Sequence, residues 1–172
     1  GLPIIGYILA PLGLQRPLLW ARVCSLDEIP TNAPRLFPVS FPRQSGSQQF
    51  DVLVLDAFSS DSIPAHLLTR EAFAIYLQHL RPPDGVLAVH VSNRFLDLGR
   101  VVYGLADACG LQALRFSDPG GPGIYKSDWM LLTSSPRVLT DREVVRMSLP
   151  RPATRPLRLW TDDYYNLWQI LR

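Results

Sequence analysis

A carboxylate at the mouth of a sheet can hold a cation or take up a proton, and this chain sets one where such a mouth is expected. The run Phe50-Asp51-Val52-Leu53-Val54-Leu55-Asp56 places four branched apolar residues between two aspartates. That is the pattern of a strand buried on both faces, as in parallel sheets. Ligands of open α/β sheets bind outside the carboxyl ends of the strands, so Asp56 and the loop after it to Pro64 are the first candidates for chemistry. The competing reading of Asp56 is a cap for that loop through its own backbone. Asp61, in Ser59-Ser60-Asp61, reads by itself as a turn residue. His90 ends a second apolar run just before Ser92 and Asn93. It reads first as a core histidine hydrogen-bonded at a strand end, and second as a residue lining a cleft.

Other chemistries fit the residues poorly. The histidines are His66, His79 and His90, at no metal-ligand spacing. Ser59 and Ser60 lack the Gly-x-Ser-x-Gly context of a hydrolase nucleophile. Asp162 and Asp163 look like a cation trap, but two carboxylates in a first helical turn are what the helix dipole favours, and that reading is preferred. The formal charge of +2, with no basic run, gives no footprint for nucleic acid. Cys24 and Cys109 are far apart and read as buried or incidental thiols of a reducing compartment.

The elements that must position these residues follow from pattern and punctuation. With 172 residues, 47% of them hydrophobic, the chain can bury one core of its own. Residues 1–20 are apolar but broken by Pro3, Pro11 and Pro17, short of the ~20 apolar residues of a spanning helix. A signal peptide is also poorly matched, and the Gly at position 1 suggests a fragment or an unusual gene boundary. Residues 25–49, with Pro30, Pro34, Pro38 and Pro42, read as an extended linker, which sets the division into residues 1–49 and 50–172. Thr69 can cap a helix whose apolar face is Phe73, Tyr76, Leu77 and Leu80, and Asp84-Gly85 turns the chain into a strand from Val86 to Val91. Leu98, Val101, Val102, Leu105, Ala106 and Cys109 mark a second helix, closed by Gly110 in a left-handed cap. Strands are expected at Leu111–Phe116 and Trp129–Thr133, and Thr140-Asp141-Arg142-Glu143 reads as a capping box for a short helix ending near Met147. A last helix begins at Thr161, with Leu167, Ile170 and Leu171 as its apolar face.

The segment 51–98, with Tyr125-Lys126-Ser127-Asp128-Trp129 and Leu159-Trp160-Thr161-Asp162-Asp163-Tyr164, resembles the C-terminal half of the spermidine synthase-like (polyamine aminopropyltransferase) family, above all its bacterial members fused to a transporter-like region. The likeness does not extend over the first ~45 residues, and no glycine-rich nucleotide-binding turn lies upstream of Asp56. The resemblance implies a partial Rossmann-like α/β sheet of the class I S-adenosylmethionine-dependent methyltransferase type, lacking its nucleotide-binding half. The last strand is then antiparallel and inserted between the second and third, and the first strand is left with an edge that invites self-association or a partner strand. The implied activity is aminopropyl transfer from decarboxylated S-adenosylmethionine, as co-substrate, to a diamine such as putrescine. No covalently bound cofactor is implied.

By the same resemblance Asp56 assists deprotonation of the attacking amine, Asp61 is similar to an amine-binding aspartate, and Tyr125 aligns with a tyrosine of the amine pocket. Ala57 and Phe58 are additional residues between the two aspartates, which displaces Asp61 from the family's spacing. Asp128 is expected to add a carboxylate to the rim of that pocket, and His90 to line it. Two alternatives stay open: another S-adenosylmethionine-dependent transferase, and a non-catalytic remnant or interaction domain. A cytoplasmic location is expected, with membrane association left open because a transporter-like region precedes the enzyme in fused members.

Overall fold

A computed structural model describes residues 47–57, 64–121 and 126–172. Four strands, β1 (Val52–Leu55), β2 (Val86–His90), β3 (Gln112–Asp118) and β4 (Ser127–Thr133), form one mixed sheet in the order β1-β2-β4-β3. β1 and β2 are parallel, and β4 runs antiparallel to both of its neighbours. The fold is therefore mixed α/β, with the antiparallel strand inserted between β2 and β3.

Strand alternation gives the sheet two apolar faces, and helices cover both. Leu87, Val89, Met130 and Leu132 face α1 (Arg70–His79), α2 (Leu98–Ala108) and the C-terminal segment, in a core with Leu68, Phe73, Val101, Leu105, Trp160 and Ile170. Val86, Ala88, Trp129 and Leu131 face the short helices α3 (Pro136–Leu139) and α4 (Arg142–Met147), through Val138 and Val144. Every residue of β2 and β4 is buried. β1 corrects the sequence reading: its four residues are only half-buried, because it pairs with β2 alone among the described strands and neither of its faces is sealed.

The helices carry the expected ends. Thr69 caps α1 by accepting the Ala72 N–H, and Gly110 follows α2 at a φ of +69° that a side chain would strain. Gly85 opens β2 where a Cβ would stand 2.8 Å from that of Leu80 and 2.9 Å from the Arg81 carbonyl oxygen. Two expectations are corrected. The cap of α4 is Asp141, which accepts from Glu143 and Val144 N–H, while Thr140 ends α3. No helix begins at Thr161: Thr161 and Tyr164 close on each other through two backbone bonds, and only Leu167–Ile170 coils, as a 3-10 turn capped by Asn166. Asp162 and Asp163 thus lie at no helix start. Asp162 accepts from the Thr69 hydroxyl at 2.7 Å and gives its N–H to Glu71, so it ties the C-terminal segment to α1.

Among the described residues no helix is long and apolar enough to cross a membrane. Most of the N-terminal stretch and linker, with Cys24, lies outside the described residues. Cys109 is a free, half-buried thiol whose pKa burial raises.

Candidate functional site

Register assembles a polar cluster at the carboxyl end of the parallel strands. The pairing of β1 with β2 runs to Leu55 opposite Val89, so Asp56 follows beside His90. Alternation points both toward the face of Val86 and Ala88. His90 pairs across to Trp129 on β4, and the two rings stack at 4.6 Å between centroids. β4 begins at this same end because it is antiparallel, which brings Asp128 alongside.

His90 Nδ1 lies 2.8 Å from Asp56 Oδ1. The carboxylate stands off the axis of the ring N–H, so this is a close polar contact and not a well-aligned hydrogen bond. His90 Nε2 lies 2.7 Å from Ser92 Oγ, and Ser92 Oγ in turn accepts the Asp128 backbone N–H at 2.6 Å. The contact with His90 holds the Asp56 carboxyl below its ordinary value, against the opposing effect of partial burial. Asp56 is therefore ionised at neutral pH while its side chain is 44% exposed, and His90 below it is nearly buried.

Asp128 is placed differently from the rim expected of it. It is buried on the α2 side of the sheet, with Arg115 at 3.1 Å and the Ser117 hydroxyl at 2.5 Å on its two oxygens. Burial pushes its carboxyl up, but the Ser117 hydroxyl and the Arg115 and Lys126 cations outweigh that and hold it low. A carboxylate so engaged anchors β3 to β4 and offers little to a ligand. The structure thus joins Asp56 with His90 and sets Asp128 apart from them behind Ser92. Asp61 and Tyr125 lie outside the described residues.

Asp56, His90 and Ser92 share the spacing of a charge-relay triad. Ser92 is nevertheless poorly placed as a nucleophile, because the Asp128 N–H already occupies a lone pair of its oxygen. What the three can do is fix a charge: an exposed anion backed by an ionisable ring. Sequence reasoning missed Arg115, Ser117, Trp129 and the part played by Ser92. The signals were the polar alternation Arg115-x-Ser117 on β3 and His90-x-Ser92 past β2, each setting two polar groups on one side of an extended chain. Among the described residues no group of three His, Cys, Asp or Glu side chains could hold a metal.

No protein-family model matches this chain, and no curated protein sequence matches it.

Proposed function

We propose that Asp56 is the amine-binding and proton-accepting carboxylate of an aminopropyltransferase-like domain. The observation that carries this reading is an ionised, half-exposed carboxylate just beyond the carboxyl end of β1. The strand order, with β4 antiparallel between β2 and β3, supports the methyltransferase-type sheet that the spermidine synthase-like resemblance implies. A polyamine is a chain of ammonium groups, and an exposed anion above a largely buried apolar sheet end is its natural complement. In the transfer, the neutral amine nitrogen bonds to the propyl carbon of decarboxylated S-adenosylmethionine. The carbon–sulfur bond breaks, its electron pair stays on sulfur as the leaving thioether, and the amine proton passes to Asp56.

The test is calorimetric titration with putrescine or spermidine at about pH 8, for the wild type and Asp56→Asn, beside thermal melts of both. Asparagine keeps the shape and most turn-forming capacity of aspartate, so the substitution should cost under ~1 kcal/mol of stability. Binding should weaken at least tenfold, since the charge that attracts the ammonium is gone. Equal binding by both proteins removes Asp56 from the site. No binding by the wild type favours the non-catalytic alternative.

A further inference from the structure

The Asp56 carboxylate does not face a ligand alone, since an ionisable ring touches it from below. We propose that His90 gates cation binding at Asp56: with the imidazole neutral the pair carries a net negative charge that holds an ammonium, and with it protonated the pair is neutral and lets the ammonium go. This rests on the reading of Asp56 as the amine-binding carboxylate and adds a regulating group that the resemblance does not supply.

The hydrogen bonds around His90 accept both charge states without moving heavy atoms. In the neutral ring, Nδ1 keeps its proton 2.8 Å from Asp56 Oδ1, and Nε2 accepts the Ser92 hydroxyl proton across 2.7 Å. When the ring gains a proton, Nε2–H donates to Ser92 Oγ, and the hydroxyl proton swings to the Asp128 carbonyl oxygen at 3.5 Å. The Ser92 oxygen stays where the Asp128 N–H holds it. A hydroxyl with two acceptors, the ring nitrogen and the Asp128 carbonyl oxygen, is therefore the rotor that lets the ring change charge inside a nearly closed site.

Among the described residues the surrounding charges leave Asp56 as the anion nearest the ring. From β4, Asp128 lies behind Ser92 with its carboxylate taken up by Arg115 of β3 and approached by Lys126 at 4.0 Å. Asp97, before α2, lies on the far side of that same arginine at 3.9 Å. Trp129 covers one face of the imidazole and brings no charge. Among the described residues Asp56 is the carboxylate in contact with the ring, so the charge of this one pair follows the protonation of His90. Imidazole is the side chain that changes charge between about pH 5 and 8, the range in which a polyamine keeps its own charges. His90 acts here through Asp56 and is a positioning residue.

The experiment is calorimetric titration of the full chain with putrescine at steps from about pH 5.5 to 8. Wild-type affinity should rise with pH, changing by up to about tenfold per unit below the transition and levelling above it. His90→Gln, which cannot titrate, should bind with an affinity that pH leaves flat. In case that variant folds poorly, the His90 ring resonances of the wild type are followed by NMR with and without putrescine. By reciprocity, the ligand should move the His90 titration to lower pH. Putrescine binding that is sensitive to Asp56→Asn but equally tight across the range, with an unmoved His90 titration, overturns the gate and leaves the Asp56 assignment standing. A wild type that binds no putrescine even at about pH 8 overturns both.

Discussion

Two carboxylates stand at the same end of one sheet, both held below their ordinary pKa, and they do opposite things. Asp128, on the face of α2, is buried with a cation and a hydroxyl on its two oxygens. Asp56, on the other face beyond a half-buried strand, has one ring beside it and keeps 44% of its side chain open to solvent. The first has spent its charge on holding β3 and β4 together, while the second still presents it. A low carboxyl pKa marks an anchor or a binding group equally well, and exposure separates the two.

The sharpest way to probe that contrast is packing. Leu132, fully buried in β4, should cost about 4 kcal/mol when changed to alanine, because a closed core cannot collapse into the cavity. Leu53, half-buried in β1, should cost about 1 kcal/mol, since solvent already reaches it. Urea unfolding of both variants gives the comparison, and similar costs would mean that β1 is no looser than the sheet centre. Next in size, Asp128→Ala should cost about 3 kcal/mol by leaving the Arg115 guanidinium without its main partner, read by the same unfolding curves. A loss near zero would make Asp128 as dispensable to the fold as Asp56.

The smallest effect lies in acid. A carboxyl whose folded pKa is depressed gives stability that is complete above its unfolded value, near 3.9, and lost as pH falls through the lower folded value. Melting temperature should therefore hold steady above about pH 5 and fall below about pH 4. Asp128→Asn should flatten that fall more than Asp56→Asn, whose exposed charge is screened by water. An equal flattening by both would erase the distinction between anchor and binding group.

The mixed α/β class and most of its described elements were legible. Thr69, Gly110 and the branched runs of β1 and β2 mark their elements by local chemistry, and the structure keeps those marks. The C-terminal helix was misread because Leu167, Ile170 and Leu171 carry a helical spacing that tertiary contacts override. Glu71, more than ninety positions away in sequence, takes the Asp162 N–H, a bond that no local pattern announces. Of the candidate site, the place of Asp56 at a strand end was readable, and its contact with His90 was not. That contact depends on the register of two strands separated by a loop and a helix, as the burial of Asp128 depends on Arg115 of the adjacent strand β3. Residues become a site only when pairing is fixed, and pairing is a property of the whole sheet.

The packing of residues 160–170 bears on how the molecule is made. Trp160 and Ile170 complete the same core as Leu68, Phe73 and Val101, and the Asp97 N–H bonds to the Ile170 carbonyl oxygen. A chain growing from its amino end exposes that core to solvent until residues 160–170 have left the ribosome. The closing contacts join residues up to ninety and more apart in sequence, and such non-local pairing slows folding relative to local helix formation. A nascent chain stalled before residue 160 would show its apolar inner face to any chaperone within reach.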